Sequence, residues 1–182
     1  MQLCGIDEAG RGPLAGPLTI AGVILNNPIE GLNDSKKLTE KKRESLYELI
    51  CENSIYHIAR FDAAQIDELG LSQCLATGLR EIMSALGEAD YLYDGNSKFG
   101  VSGLRTMVKA DATVPEVSAA SILAKVTRDR EMIQLASLYP QYGFDGHKGY
   151  GCAAHIEAIR QYGYCEIHRK TFKLKAFQPS LF

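Results

Sequence analysis

Asp7 and Glu8 stand side by side in Gly5-Ile6-Asp7-Glu8-Ala9-Gly10-Arg11-Gly12-Pro13, where a short apolar stretch runs into a turn of glycine and proline. Carboxylates at a strand end, joined by others from elsewhere in the chain, hold divalent cations through hard oxygen ligands. Neighbouring side chains on an extended strand face opposite ways. The pair can therefore meet at one point only if the chain bends or bulges there, and Gly10 and Gly12 give it the freedom to do so. Asp94 ends the apolar run Asp90–Asp94 directly before Gly95-Asn96, and Asp111 follows the next strand in Val108-Lys109-Ala110-Asp111. Each of these two acids alone reads more simply as a turn cap. Acids at three strand ends fit a site at one edge of a sheet, where open α/β folds bind ligands.

The elements that must position these acids follow from apolar periodicity. Residues 2–7 read as a strand, and the apolar, β-branched run Leu18–Leu25 as a second one, antiparallel to the first across a short join. Thr39 caps a helix to about Glu52 with Leu46, Leu49 and Ile50 as its apolar stripe. A strand over Ser54–Phe61 comes next. Asp62 and Gln65 have capping-box spacing for a short helix. Ser72 is expected to cap a longer one carrying Leu75, Leu79, Ile82 and Leu86. Strands over Asp90–Asp94 and Arg105–Lys109 precede a long helix from Pro115 to Ser137, its proline suited to the first turn. A last helix, about Ala153 to Gln161, leads into a basic tail. Three hairpin-linked strands followed by parallel crossovers predict an α/β fold with a mixed five-stranded sheet flanked by helices.

Composition sets the frame. The chain has 182 residues, 46% of them hydrophobic and 23% charged, which fits one soluble globular domain. A net charge of −2 is no global signature of nucleic-acid binding, so any polyanion must be met by local basic clusters. The five cysteines are scattered without a Cys-x-x-Cys pair, and are expected to be buried apolar residues in a reducing compartment. Asp7 and Glu8 occupy the place where a secretory signal would be basic then apolar, and residues 12–29 are interrupted by Pro13, Pro17 and Pro28. A cytoplasmic protein without membrane contact is expected.

Five segments, in order, resemble bacterial ribonuclease HII. They are Gly5–Pro17, Leu32–Leu38 (Leu-Asn-Asp-Ser-Lys-Lys-Leu), Tyr93–Asn96 (Tyr-Asp-Gly-Asn), Ala119–Arg130 and His147–Gly151 (His-Lys-Gly-Tyr-Gly). The resemblance spans about residues 3–172 and implies a ribonuclease H-like fold, with a core to about residue 140 and a helical C-terminal extension over 141–182 that contacts substrate. It implies cleavage of RNA paired to DNA, and incision at single ribonucleotides in duplex DNA, leaving 5′-phosphate and 3′-hydroxyl ends. The implied catalytic acids are Asp7, Glu8, Asp94 and Asp111. Such a cluster of like charges needs cations, and hard oxygen ligands beside a phosphodiester favour Mg²⁺ or Mn²⁺. Two ions about 4 Å apart would serve the attacking water and the leaving oxygen. Asp7 is expected to bridge them, with Glu8 and Asp94 on one and Asp111 mainly on the other.

By the same resemblance the substrate-binding set is Gly10, Arg11, Gly12, Ser35, Lys36, Lys148, Tyr150 and Arg169. The Gly10–Gly12 backbone is expected to read the ribose 2′-hydroxyl, and Tyr150 to pack on the neighbouring deoxyribose at an RNA-to-DNA junction. His147 and Lys148 are expected to face phosphate. Two basic segments are expected to grip the duplex without reading sequence: Lys36, Lys37, Lys41, Lys42 and Arg43, and the tail with Arg169, Lys170, Lys173 and Lys175. Lys125, Arg128 and Arg130 share a helix with Asp129 and Glu131, where local ion pairs are expected. Tyr162–His168 departs from the family's commoner proline- and threonine-containing turn. Gln178–Phe182 is loosely similar to peptides that dock on the bacterial sliding clamp, although a frayed terminus is the better account of it. The protein is expected to act as a monomer.

Three other readings compete. Gly10-x-Gly12-x-x-Ala15 fits a permissive dinucleotide fingerprint with Glu30 twenty residues on, but a strand rather than a helix follows, and the acids carry the wrong sign for pyrophosphate. A non-catalytic hybrid binder gains nothing from four anions beside phosphate. Another nuclease on the same fold would cut a DNA-only duplex as readily.

Overall fold

The computed structural model describes residues 1–32 and 35–174. Its five strands are β1 (Leu3–Ala9), β2 (Leu18–Leu25), β3 (Ser54–Phe61), β4 (Asp90–Asp94) and β5 (Leu104–Met107), in the sheet order β3-β2-β1-β4-β5. β1 runs antiparallel to β2 and parallel to β4, β2 antiparallel to β3, and β4 parallel to β5. The helices are α1 (Glu40–Glu52), α2 (Ala63–Leu69), α3 (Leu71–Leu86), α4 (Pro115–Leu138), α5 (Phe144–His147) and α6 (Ala153–Tyr162).

Alternation along the strands builds two cores. Cys4 and Ile6 of β1, Ile20 of β2 and Tyr91 and Tyr93 of β4 pack on Ile66, Leu75, Leu79 and Ile82 of α2 and α3. The opposite face carries Ala21 and Val23 against Leu46 and Ile50 of α1 and Ala119–Ala124 of α4. α4 lies close because β1 offers glycine there: a Cβ on Gly5 would come within 2.2 Å of the Glu116 and Val117 backbone. The small residues Ala119, Ala120 and Ala124 complete that approach, and each is fully buried.

Local signals set the helix starts. The Thr39 hydroxyl accepts the Lys42 N–H, and Asp62 with Gln65 forms the reciprocal capping box. Ser72 does not cap α3; the helix begins two residues earlier than that cap implies, at Leu71 behind Gly70, whose φ of 81° belongs to the left-handed region. β1 extends through Ala9 in unbroken register with β2, so the expected bend at Asp7-Glu8 is absent. β5 stops at Met107 because Lys109 turns left-handed at φ 58° and opens a short 3₁₀ turn, Ala110–Ala112. Only Cys4 and Cys74 are buried; Cys51 and Cys165 are half-buried, Cys152 is exposed, and all five are free thiols. No helix among the described residues is long and apolar enough to cross a membrane.

Candidate metal centre and substrate cleft

The last paired residues of β1 and β4 are Ile6 and Tyr93, so Asp7 and Asp94 follow as neighbours at the ends of adjacent parallel strands. Both project on the α4 face, since Ile6 and Tyr93 belong to the opposite core. The turn after β5 then delivers Asp111. One carboxylate oxygen from each of Asp7, Asp94 and Asp111 lies within 4.8 Å of the others. The Asp94 carboxylate accepts the backbone N–H of Lys109 at 3.0 Å and of Asp111 at 3.3 Å, so it fixes the turn that carries its partner.

Glu8 is placed apart from this trio. Its side chain follows the other face of β1, accepts the Tyr93 hydroxyl at 2.7 Å and pairs with Arg11 at 3.5 Å. The strand stays straight, and the two adjacent acids reach the same cleft from opposite faces of its end rather than through a bulge.

Asp7 lies nearly buried at 9% exposure. Burial, followed by the charges of Glu8 and Asp94, holds its carboxyl well above the usual carboxylate range, against the Glu8 N–H and the Ser121 hydroxyl. The Glu8 N–H reaches Asp7 Oδ1 at 2.8 Å. Ser121 of α4 also meets Ser35 at 2.7 Å between hydroxyl oxygens, linking Asp7 to the basic turn at Ser35–Lys37. Hard carboxylate oxygens converging on one point are the donor set of a divalent cation such as Mg²⁺ or Mn²⁺, and the residues fit one.

The acids open into a cleft of about 530 Å³, lined also by Gly10, Arg11, Gly12, Ser35, Lys36, Lys125 and Tyr150. Among the substrate residues expected from sequence, Lys148 and Arg169 do not line it. Arg169 is 1% exposed and donates to the carbonyls of Gly10, Arg11, Gly16 and Pro17. Arg128, equally buried, donates to those of Ala15, Pro17 and Lys148. These two cations clamp the glycine loop from behind, so the expected phosphate contact of Arg169 is replaced by a structural one. Desolvation and the nearby Arg128 charge lower Arg169 to about 9. Gly10 shows how tight the clamp is: its φ is 96°, and a Cβ would lie 2.3 Å from Arg128 Nε. A Cβ on Gly12 would meet nothing nearer than the Tyr150 ring at 4.0 Å, so that residue faces the open cleft.

His147 does not face phosphate, because Nε2 meets the Tyr142 carbonyl at 2.6 Å and Nδ1 accepts the Gly149 N–H at 3.1 Å. The Lys148 ammonium turns back to the Asp145 carbonyl. Of the first basic segment, Lys36, Lys37, Lys41 and Lys42 are exposed, whereas Arg43 holds the turn through the carbonyls of Ser35 and Leu38. Lys125 pairs with Asp129, and Arg130 pairs with Glu44 and Glu48. Lys175 and the clamp-like segment 178–182 lie outside the described residues. Tyr93, Ser121 and Arg128 are the contributors that sequence reasoning missed; all three sit inside the motifs already singled out.

Residues 4–175 match the family model described as Ribonuclease HII. The ribonuclease HII of Sulfurovum sp. (strain NBC37-1) is 64% identical over 181 residues, covering 99% of this chain and 96% of its own length. That of Campylobacter hominis is 63% identical over 183 residues, covering 100% and 99%. Among solved structures, the PCNA:RNase HII complex from Archaeoglobus fulgidus is similar with a TM-score of 0.83 at 29% identity, covering 100% of this chain and 98% of that one. The ribonuclease H2 of Pyrococcus horikoshii OT3 is similar with a TM-score of 0.77 at 32% identity, covering 95% and 94%.

Proposed function

The chain belongs to the ribonuclease HII family of metal-dependent ribonuclease H endonucleases, and we propose that it incises duplex DNA 5′ of single embedded ribonucleotides as well as cutting RNA in RNA/DNA hybrids. The observation that carries this reading is the meeting of Asp7, Asp94 and Asp111 within 4.8 Å at the floor of the cleft that Gly12 and Tyr150 share. Asp7, Asp94 and Asp111 would hold Mg²⁺ or Mn²⁺, with Glu8 alongside. A bound cation supplies charge neutralisation and Lewis-acid activation for phosphodiester hydrolysis.

The chain's own residues do the selecting. Gly12 lets the loop backbone approach a ribose closely enough to hydrogen-bond its 2′-hydroxyl, the group that separates RNA from DNA. Tyr150, 44% exposed beside Gly12, packs on the neighbouring deoxyribose. Lys36 and the lysines at the start of α1 meet backbone phosphates, which fixes register and leaves base sequence unread. Contact with a sliding clamp through residues 178–182 belongs to the same proposal; its support is the Archaeoglobus relative, solved in complex with PCNA.

The test is a labelled duplex with one ribonucleotide, incubated with the protein and Mg²⁺ or Mn²⁺. A single cut on the 5′ side of the ribonucleotide is expected, with a 3′-hydroxyl that a polymerase can extend. Cleavage of a DNA-only duplex at the same rate, or of long hybrids alone, would overturn the proposal.

A further inference from the structure

Behind Tyr150 lie two histidines that the chemistry above does not use. His155 in α6 is 0% exposed and His168 is 1% exposed. A neutral imidazole has one donor and one acceptor nitrogen, so partners of known sense assign its proton. His155 Nδ1 sits 2.8 Å from the Tyr150 carbonyl oxygen, which only accepts, so Nδ1 carries the hydrogen and Nε2 is bare. His168 Nδ1 accepts the backbone N–H of Cys165 at 2.9 Å, so its hydrogen is on Nε2. The two Nε2 atoms are 3.0 Å apart, and the hydrogen on His168 points into the bare nitrogen of His155. The chain of donors therefore runs one way, from Cys165 through His168 and His155 to Tyr150.

Its end point is the backbone that aims the Tyr150 ring. The Tyr150 N–H donates to His147 O at 3.0 Å, and its carbonyl also accepts the Cys152 N–H at 2.9 Å. The ring lies over the Arg128 guanidinium at 5.6 Å and faces Gly12 across the cleft.

We propose that His155 and His168 are positioning residues for Tyr150: their directed hydrogen bonds hold its backbone so that the ring meets the sugar next to a ribose. This rests on the reading of Tyr150 as the residue that senses the RNA-to-DNA junction.

The surroundings keep the pair neutral. His147 stacks on His155 at 4.3 Å with Phe144 at the ring's edge. Tyr142 and Tyr164 contact His168, with the Cys165 thiol 3.2 Å from its Nδ1 and the positive charge of Lys170 nearby. Burial disfavours the imidazolium at both sites, and at His168 the neighbouring His155 adds to it. A proton on His155 would set two N–H groups head to head, and one on His168 would face the Cys165 N–H.

Two substitutions separate positioning from packing. In His155→Asn the amide nitrogen can take the place of Nδ1 and keep the bond to Tyr150. In His155→Gln the amide reaches the place of Nε2 and keeps the His168 bond instead. The readout is the ratio of kcat/KM on a single-ribonucleotide duplex to that on a long hybrid, with Tyr150→Ala as the reference. The Gln variant should lose this ratio by about tenfold, as Tyr150→Ala does, while the Asn variant stays within about twofold of the native protein. Equal effects of Asn and Gln, or an unchanged ratio in Gln while Tyr150→Ala loses it, would overturn the positioning role alone. An unchanged ratio in Tyr150→Ala would remove the junction reading and this inference together. Should the variants not fold, nitrogen-15 NMR of the native protein decides: hydrogen on His155 Nδ1 and His168 Nε2 is expected, and the opposite tautomers would refute the chain.

Discussion

The Tyr93 hydroxyl donates to the Glu8 carboxylate at 2.7 Å across the ends of two parallel strands, on the face of the sheet opposite to Asp7. Burial and the charges of Glu8 and Asp7 push the phenol's pKa upward, so it remains a donor throughout the working pH range. Tyr93→Phe removes the hydrogen bond and keeps the ring contact with Phe99. Stability should fall by about 1 kcal/mol and turnover by about threefold to tenfold as Glu8 loses its orientation. Chemical denaturation and steady-state kinetics check the two; unchanged turnover would show that Tyr93 does not set Glu8.

Asp7→Asn should separate folding from catalysis. Burial and two neighbouring acids all disfavour the charged form of the Asp7 carboxyl. Replacing it with a neutral amide should leave the metal-free protein at least as stable as the native one, and lower turnover by about a thousandfold or more. Thermal unfolding in chelator, paired with the cleavage assay, measures both. A destabilised yet active variant would exclude the metal role.

Gly10 and Gly12 should respond oppositely. Gly10→Ala drives a Cβ to 2.5 Å from Pro17 O at a φ of 96°, and should cost about 2–3 kcal/mol of stability. Gly12→Val enters open space, so melting temperature should hold within about 2 °C while discrimination between ribose and deoxyribose collapses. Retained discrimination would take the loop out of substrate recognition.

Acid should loosen the C-terminal region first. The ordinary histidine value is 6.5, and burial with the facing His155 lowers His168 to about 4. Between these values the unfolded chain binds more protons than the folded one, so stability falls as pH drops from 6.5 toward about 4, with a slope approaching about 1.4 kcal/mol per pH unit for each proton. Above 6.5 the contribution is fully present. Denaturation at a series of pH values checks this, and His168→Asn should flatten that part of the profile. An unchanged slope in the variant would assign the acid sensitivity elsewhere.

The order of the strands, the long α4 and the convergence of the three aspartates were legible in sequence because period-2 and helical patterns mark elements, and Asp94 before Gly95 marks a strand end; the ends of β1 and β5 were not, since β1 runs on to Ala9 and β5 stops at Met107. Glu8 was less so: adjacency suggested a bend, whereas the β1–β2 register runs through Ala9 and leaves the two acids on opposite faces. Arg169 was misplaced for a related reason. Charge in a basic tail resembles a phosphate contact, and only tertiary packing brings residues 10–17 and 169 together. Likewise, no local pattern pairs His155 with His168, thirteen residues away.

The central claim is that Asp7, Asp94 and Asp111 jointly hold the cation that cuts the phosphodiester, and anomalous diffraction from crystals of the protein with Mn²⁺ and a non-cleavable ribonucleotide duplex tests it most directly. Manganese density is expected within bonding distance of oxygens from all three side chains, beside the phosphate 5′ of the ribose. Manganese bound elsewhere, under conditions where the native duplex is cut in solution, would contradict it.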